Sequence, residues 1–569
     1  MIDAEAPLLV NTGRGLTVYY RGRHLYSTQS PIASAERRAW AVPILPHTLI
    51  LVPSPLLFHG MSLLLERLPE ESHILAVETD QKLMALSSEV AGELARDRRI
   101  TYVRTESVDA IKGILEGIDI GRFRRCVEVR LSGGYVLSPH FYQQVFETLQ
   151  GEIQAHWRNR MTLIQLSNLW VKNIFLNLPA LVHARDLRES HVSLPIVVAG
   201  AGESLEQAVE LIRPLRDKVY LLAVDTALPA LLQSGLHPDA VFVLESQFAN
   251  IDDFVAADDA ATAASDPAGL SAIADLCSHP AALRIFDRSA TLFLSEFAPS
   301  ALVRRLDEVR LCPLRIPPLG SVGVAALYCA LDLTQGPVFV AGLDFSHQPG
   351  KSHARGTPAH LRQLRGWSRT RPPSPFSGDG RRGVVREESK TGEIVITDPI
   401  LLSYRRLFGD IVQGEKRVFD IGARGLDLGL KRCPDTGEMA AIIGGTRGWT
   451  PEGLFPDRSG ERATPSIPPP LRALEAKRQD ALNRFLANEL HLLESAERAA
   501  LAVLTASSAK SGSLDAAATA LTNVDYIYLH FPDPPPLPSA DRGFLQRAVE
   551  SIDTCRSWIE RSIRRLNEG

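Results

Sequence analysis

A glycine-rich turn stands where a predicted strand meets a predicted helix, and the segment Val198–Leu205 reads VAGAGESL. Gly200 and Gly202 would let backbone approach a phosphate closely, and N–H groups at a helix N-terminus supply donors and a positive dipole end. Ser204 can cap the helix or bond the phosphate. The Gly-x-Gly-x-x-Gly pattern of NAD- and FAD-binding turns needs a third glycine, which this turn lacks. The turn therefore predicts a phosphate site for another kind of nucleotide. A tight turn without any ligand is the alternative interpretation.

Polar residues follow the next two predicted strands. Asp225 and Thr226 end the run Leu222–Val224, and Glu245 ends the run 240–244. An acid at the carboxyl end of a neighbouring strand lies where a nucleotide ribose would sit. These strand ends therefore predict a crevice at the C-terminal edge of a parallel sheet.

Two further turns carry residues of the same kinds. Gly320 and Ser321 begin a predicted helix of small residues, which suits an anion or a nucleobase amide. Gly342 and Asp344 close another apolar strand. We expect both turns to reach the same edge of the sheet as the turn at Gly200.

Two histidines follow Asp344 in a loop, His347 and His353. A loop histidine is ordinarily a solvated surface group, but an imidazole beside a nucleotide crevice can act as a general base. The sequence alone leaves both interpretations open.

The elements that must position these residues are short apolar runs alternating with helical stretches, which predicts parallel βαβ units. The runs with this pattern are 48–52, 74–78, 100–103, 126–131, 194–200, 219–224, 240–244 and 337–341. We predict an N-terminal α/β domain (1–188), a central Rossmann-like α/β domain (189–443), a Pro/Gly-rich linker (444–470) and a helical C-terminal domain (471–569). Residues 256–274 are interpreted as an insertion and residues 369–388 as a mobile loop.

Composition restricts the class of protein. The chain has 569 residues, 45% hydrophobic and 22% charged, with a net charge of −4, which predicts about three or four globular domains. There is no basic excess for binding nucleic acid, and no uninterrupted apolar run of the length a membrane helix needs. The six cysteines include no C-x-x-C pair, so neither a disulfide framework nor a zinc ribbon is predicted, and no metal site is assigned. We expect a cytoplasmic protein with reduced thiols and leave its oligomeric state open.

Taken together, the motifs resemble those of the motility accessory factor (Maf) family, which shares a domain with an archaeal hydroxymethylpterin pyrophosphokinase (MptE-like). Six motifs occur in the family's order between Pro195 and Gly356. They are a Gly-x-Gly-x-Ser-Leu turn, a Val-Asp-Thr-Ala-Leu strand end, a Gly-x-x-Pro-Asp turn, a Gly-Ser-Val helix start, a Gly-x-Asp strand end and a Gly-Lys-Ser-His-Ala loop. The combination is far more specific than any one motif.

The resemblance implies a cytoplasmic glycosyltransferase that modifies flagellin before export and so supports motility. Maf proteins are linked to transfer of nonulosonic acids of the pseudaminic or legionaminic type from CMP donors to Ser or Thr. The central domain is also similar to bacterial CMP-sialic-acid transferases, in which Asn stands at the position of Asp225. Glu245 stands where Maf relatives more often have Asp.

On this resemblance, the turn at residues 200–204 and the helix start at Ser321 would stabilise the departing CMP phosphate. Asp225 would hold the cytidine ribose. His353 would take the proton of the acceptor hydroxyl, with inversion at the anomeric carbon, and His347 is the reserve candidate. No cofactor is firmly implied besides the CMP-sugar donor.

Two alternatives come from other classes of protein. An ATP-dependent pterin pyrophosphokinase would need carboxylates to hold Mg²⁺, which Asp225, Glu245 and Asp344 could supply. The other alternative is a flagellin-binding accessory protein without catalysis. It would dock flagellin helices on an apolar stripe in the C-terminal domain, formed by Leu482, Leu486 and Leu490; ordinary packing within the chain is the competing interpretation of that stripe.

Overall fold

The structure is a computed structural model. It describes residues 6–91, 97–255, 270–286, 289–298, 300–348, 350–370, 383–445, 469–506, 511–532 and 540–568. The chain divides into two compact units, 1–162 and 163–569. This division falls inside one long helix, Pro139–Asn177, and the four predicted domain ranges stay predictions.

The first unit holds two sheets. Its strands are β1 (Leu8–Asn11), β2 (Leu16–Tyr20), β3 (Arg23–His24), β4 (Thr48–Pro53), β5 (His73–Glu78), β6 (Ile100–Arg104) and β7 (Arg125–Glu128). Its helices are α1 (Pro31–Ala41), α2 (Met61–Glu66), α3 (Gln81–Ala91), α4 (Val108–Gly117) and the beginning of α5 (Pro139–Asn177). β1, β2 and β3 pair antiparallel, and the other four strands form a parallel sheet in the order β6-β5-β4-β7.

The parallel sheet of the first unit is buried on both faces, as near-continuous apolar strands require. Every residue of β4 and β5 is buried, including Glu78. The Glu78 carboxylate accepts hydrogen bonds from the Ser54 hydroxyl (2.8 Å) and from the backbone N–H of Thr79 (3.0 Å). Burial nevertheless raises the pKa of Glu78 to about 7. Its role is to hold Ser54, the residue that directly follows β4.

The second unit is built on one large sheet. Its strands are β8 (Arg185–Asp186), β9 (Ile196–Ala199), β10 (Tyr220–Val224), β11 (Ala240–Val243), β12 (Ser271–Asp275), β13 (Ala290–Ser295), β14 (Leu314–Ile316), β15 (Val338–Ala341), β16 (Val385–Glu388), β17 (Ile394–Thr397), β18 (Val418–Asp420) and β19 (Lys431–Arg432). All but β16 and β17 lie in this sheet, in the order β14-β13-β12-β11-β10-β9-β15-β18-β19, with β8 beside β13. Each neighbouring pair in it is parallel.

Helices cover both faces of this sheet. They are the end of α5, α6 (Leu205–Ile212), α7 (Leu228–Gln233), α8 (Pro280–Phe286), α9 (Ala301–Glu308), α10 (Val322–Leu333), α11 (Pro358–Arg365), α12 (Pro399–Val412), α13 (Thr436–Gly445), α14 (Pro469–Thr505), α15 (Ser511–Thr522) and α16 (Arg542–Glu568). Successive strand residues alternate between two apolar cores, so Phe242 joins the core that includes α6 and α10. Val241 joins the core that includes α14 and α16. The fold class predicted from the sequence, α/β with a Rossmann-like central sheet, is confirmed.

The apolar stripe of the C-terminal domain belongs to the second core. Leu482 and Leu486 are fully buried there, and Leu490 packs against the same cluster. The alternative in which this stripe docks flagellin is therefore wrong, because the helix that carries it packs against α15 and α16. The ordinary packing interpretation is the correct one.

Two segments predicted from the sequence, the insertion and the mobile loop, need correction, and a third, the linker, lies mostly outside the described residues. Residues 271–275 form the central strand β12, so the segment taken as an insertion does not extend to residue 274. Residues 385–388 form β16, which pairs antiparallel with β17, so they are not part of a loop. Most of the predicted linker, residues 446–468, lies outside the described residues. Among those the structure describes, none of the helices is long and apolar enough to cross a membrane.

Candidate functional site

The candidate site lies at the carboxyl edge of the large sheet, where the strand order reverses. β10 and β11 continue outward from one side of β9, whereas β15 pairs with its other side, with Ala199 opposite Ala341. Such a switch point leaves a crevice outside the strand ends, where open parallel sheets bind ligands. All ten predicted nucleotide-binding residues and both histidines follow strands that end at this edge.

The turns after β9 and β15 touch each other through their glycines. The Gly200 N–H donates to the Ala341 carbonyl (2.8 Å). Gly342 has a φ of +66°, and a Cβ atom placed on it would lie 2.2 Å from the Gly200 oxygen. A Cβ atom on Gly200 would lie 2.5 Å from the Gly342 oxygen. Glycine is required at both positions because two backbones meet here.

A serine and an aspartate hold the same two turns together. The Ser204 hydroxyl donates to one Asp344 carboxylate oxygen, and the Ser204 N–H donates to the other at 2.8 Å. The Ser204 oxygen also accepts the Gly342 N–H at 3.0 Å. Ser204 and Asp344 are buried, and burial raises the pKa of Asp344 to about 6 despite these bonds. We call this pair, Ser204 and Asp344, the turn latch.

The turn latch changes the interpretation of the glycine motif. The Gly202 N–H donates to the Gly342 carbonyl (2.9 Å), and the Ser204 N–H and hydroxyl are bonded to Asp344. These donors are therefore occupied within the protein and do not face a phosphate. The assignment of Gly200, Gly202 and Ser204 to phosphate binding is not supported by this geometry, which gives them a role in joining two strand ends.

The loop after β15 returns to the turn after β9. His347 exchanges backbone hydrogen bonds with Ile396 (2.8 and 2.9 Å), which fixes the beginning of the loop against β17. Further on, the Ala354 N–H donates to the Ala201 carbonyl at 2.9 Å. The next helix, α11, is capped by Thr357, whose hydroxyl accepts the His360 N–H. This arrangement brings His353 directly beside the first turn of the site.

Burial, together with the positive charges that His347, Arg362 and His360 can carry, lowers the pKa of His353 to about 4, which favours its neutral form. Its Nδ1 lies 3.0 Å from the Ser352 hydroxyl oxygen. In the tautomer in which Nδ1 donates to that oxygen, Nε2 can accept a proton, and an unprotonated imidazole is what a general base requires.

Asp225 lies at the end of β10 in a buried polar cluster that sequence reasoning did not foresee. The Asn250 side-chain amide donates to Asp225 at 2.8 Å and to Asp253 at 3.1 Å, so one amide bridges two carboxylates. Burial raises the pKa of Asp225 to about 6. Burial and the neighbouring Asp225 raise the pKa of Asp253 to about 7. We call Asp225, Asn250 and Asp253 the carboxyl cluster.

The remaining predicted residues at these strand ends lie at the edge of the cluster. The Thr226 N–H donates to the Asp225 carboxylate at 2.8 Å, so Thr226 orients that carboxylate. Glu245 is exposed, and its carboxylate accepts the Gln247 N–H at 2.9 Å. Asn250 and Asp253 escaped the sequence analysis because they precede a helix-like, alanine-rich segment and follow no strand directly.

The helix start near residue 320 lies close to the turns but is separated from them by one side chain. Gly320 has a φ of +69° and is exposed, and Ser321 begins α10 without capping it through its hydroxyl. A Cβ atom on Gly323 would lie 2.3 Å from the Leu343 side chain, and one on Gly200 would lie 2.6 Å from it. Leu343 therefore fills the space between the two turns, and they do not grip one phosphate from both sides.

Charged side chains beside the turn after β9 were also missed by the sequence analysis. Lys351 pairs with Glu203 (3.4 Å) and Glu206 (2.7 Å), Arg355 pairs with Glu206 (3.3 Å), and Arg424 pairs with Glu203. Among these five side chains, three cations meet two carboxylates, and the Asp344 carboxylate lies at the same turn. Nothing in the local sequence relates Arg424 to the turn, from which it is separated by more than 200 positions. Within the ranges the structure describes, no group of three His, Cys, Asp or Glu side chains could hold a metal ion.

Comparison with known proteins agrees with this architecture. Residues 172–350 match the family described as 6-hydroxymethylpterin diphosphokinase MptE-like. The fold resembles that of the Maf glycosyltransferase from Magnetospirillum magneticum AMB-1, with a TM-score of 0.54 and 16% identity over 100% of this chain and 92% of that chain. Residues 172–350 are therefore similar to MptE-like domains, and the fold is similar to that of a Maf glycosyltransferase. The resemblance found in the sequence motifs is thereby confirmed.

Two relatives from Treponema pallidum (strain Nichols) share sequence with the chain. One uncharacterized protein is 29% identical over 565 residues, which is 97% of this chain and 95% of the relative. Another is 34% identical over 86 residues, which is 15% of this chain and 41% of that relative. The first match extends beyond the MptE-like domain to nearly the whole chain.

Proposed function

We propose that this chain is a glycosyltransferase that moves a nonulosonic acid from a CMP-activated donor to Ser or Thr hydroxyls of flagellin. The observation that supports the proposal is the hydrogen bond from Ala354 to Ala201, which ties the loop of His353 to the turn after β9. The Maf-like fold and the MptE-like domain support the transferase class.

In this proposal the donor lies across the carboxyl edge of β9, β10 and β15. Asp225, which ends the strand next to β9, would accept a hydrogen bond from a ribose hydroxyl. The first N–H groups of α10, which the Ser321 hydroxyl does not cap, would face the phosphate. Lys351, Arg355 and Arg424 would supply the cations for a doubly anionic donor, which carries a sugar carboxylate and a phosphate.

The chemical step follows from these positions. His353 Nε2 takes the proton of the acceptor hydroxyl as its oxygen bonds to the anomeric carbon. The bond from that carbon to the phosphate oxygen breaks, and CMP leaves with the electron pair. Attack from the face opposite the phosphate inverts the anomeric carbon. Removing a positioned general base costs on the order of 10²–10⁴ in rate.

The test is transfer to purified flagellin, read by intact-mass spectrometry, with His353→Ala against His237→Ala. His237 is exposed and lies before β11, at the opposite edge of the sheet. We expect His353→Ala to lose at least 10²-fold in rate while CMP binding by calorimetry stays unchanged, and His237→Ala to match the wild type. If His353→Ala transfers the sugar at the wild-type rate, His353 is not the general base.

The family description also names pterin diphosphokinases, so the same preparation is incubated with ATP, Mg²⁺ and 6-hydroxymethyl-7,8-dihydropterin. Formation of the pterin diphosphate, with no mass added to flagellin, would replace the proposal by the kinase alternative. Intact-mass analysis of flagellin from a deletion strain gives an independent answer, since a missing glycan mass is expected only for the transferase.

A further inference from the structure

A second cavity lies in the 163–569 unit, away from the candidate site. Its volume is about 210 Å³, and α5, α8, α14 and α16 supply most of its lining. None of its lining residues belongs to the turn latch, the carboxyl cluster or the loop of His353. It has therefore no part in the proposed transfer.

Two arginines lie at this cavity, Arg284 on α8 and Arg565 on α16. The Arg565 Nη1 donates to the Leu176 carbonyl at 3.0 Å, which holds its guanidinium at the cavity wall. Burial and the neighbouring Arg284 lower the pKa of Arg565, although Glu568 acts in the opposite direction. Two guanidinium groups close enough to repel each other are stabilised by an anion placed between them.

The rest of the lining divides into polar and apolar parts. Gln479 donates to the Leu566 carbonyl (2.7 Å), and His183 pairs with Glu475 (2.8 Å), so both side chains are held in place. The apolar part is formed by Leu176, Pro179, Val182, Leu283 and Leu566. An apolar cavity of about 150 Å³ accepts a benzene molecule, so this one has room for a ring bearing a charged group.

We propose that this cavity binds a small organic anion, whose carboxylate or phosphate group lies between Arg284 and Arg565 and whose apolar body contacts Leu283 and Leu566. The observations that carry the proposal are the volume, the paired guanidinium groups and the apolar wall beside them. Such a ligand would bridge α8 and α16 and would stabilise the packing of the C-terminal helices on the sheet.

The experiment measures thermal stability and calorimetric binding with benzoate, phenyl phosphate, inorganic phosphate and neutral benzyl alcohol as probes, using the full chain. We expect benzoate or phenyl phosphate to bind, with the preference between them identifying the head group. Inorganic phosphate and benzyl alcohol should bind at least tenfold more weakly, because each lacks one half of the ligand.

Variants make the assignment specific. Arg284→Gln and Arg565→Gln should each weaken binding about tenfold or more, and Arg564→Gln, an exposed neighbour on α16, should not. Arg284 is exposed, so its variant keeps the test valid if Arg565→Gln fails to fold. The proposal is overturned if none of the anions binds the wild type at millimolar concentration. It is equally overturned if Arg284→Gln binds them as the wild type does.

Discussion

Replacing Ser204 by alanine tests the turn latch directly. The change removes the hydroxyl that donates to Asp344 and accepts the Gly342 N–H, inside a site with no exposed surface. A hydrogen bond to a charged group contributes about 1.5–3 kcal/mol, and an orphaned buried N–H costs about 1–3 kcal/mol. We therefore expect a loss of about 3–5 kcal/mol in the free energy of unfolding of the 163–569 unit.

The loss should depend on pH in a defined direction. The folded pKa of Asp344 is raised to about 6, above its ordinary 3.8, so the wild type loses stability as pH rises between these values. Without the hydroxyl donor, the ionised form of Asp344 is less stabilised, and its folded pKa rises further. The variant then continues to lose stability above pH 6, and each pKa unit of additional rise corresponds to about 1.4 kcal/mol. The difference between wild type and variant should be larger at pH 8 than at pH 5.

The assay is urea unfolding at pH 5 and pH 8, combined with hydrogen exchange of the peptides that contain residues 200–204 and 342–345. Ser234→Ala is the matched control, because the Ser234 hydroxyl only donates to the Ala230 carbonyl within its own helix end. The control should lose less than about 1 kcal/mol. The role of the turn latch is refuted if Ser204→Ala loses no more free energy of unfolding than Ser234→Ala at both pH values. It is also refuted if hydrogen exchange in the two peptides is unchanged.

Two further predictions concern buried charges in the same unit. Asp253 has a folded pKa raised to about 7, so its contribution to stability is complete at low pH and falls as pH rises to 7. The free energy of unfolding of Asp253→Asn should therefore rise by about 2–3 kcal/mol relative to that of the wild type between pH 5 and pH 7. If urea unfolding shows the same pH dependence of stability for both proteins, this prediction is wrong. Glu489 is fully buried on α14 and binds Arg305 on α9 through two bonds of 2.6 and 2.7 Å. Glu489→Ala should cost about 3–5 kcal/mol by leaving that guanidinium uncompensated, whereas exposed Glu494→Ala should cost less than about 0.5 kcal/mol, as measured by urea unfolding.

Several strands of the two parallel sheets could be predicted from their apolar runs. The runs at 219–224 and 337–341 were found because strands covered on both faces are apolar throughout. β12, β13 and β14 were missed, as were the short strands β8, β18 and β19. β12 follows an alanine-rich stretch, and β14 has only three residues with an arginine in the middle. Their strand conformation depends on hydrogen bonds to neighbouring strands of the sheet. A local sequence pattern does not show such pairing.

The candidate site was predicted in its location and only partly in its contacts. Strand ends carrying Asp225, Asp344 and a histidine loop are recognisable in the chain because parallel strands place their carboxyl ends together. The partners of these groups are not recognisable. Asn250 donates to two carboxylates, and Arg424 bonds to Glu203 from 221 positions further along the chain.

The amino-acid sequence by itself determined the α/β class and the edge of the sheet where polar residues gather. Tertiary structure decided why glycine is required at two positions. Gly200 and Gly342 are adjacent because β15 pairs with β9 across more than 130 intervening residues. The Gly200 N–H donates to the Ala341 carbonyl, the Gly342 N–H donates to the Ser204 hydroxyl oxygen, and the Gly342 carbonyl accepts the Gly202 N–H. A glycine-rich turn whose own residues predict a phosphate site can instead bind a distant segment of the chain. Its backbone N–H groups then donate to the acceptors of that segment, because buried backbone donors must be hydrogen-bonded.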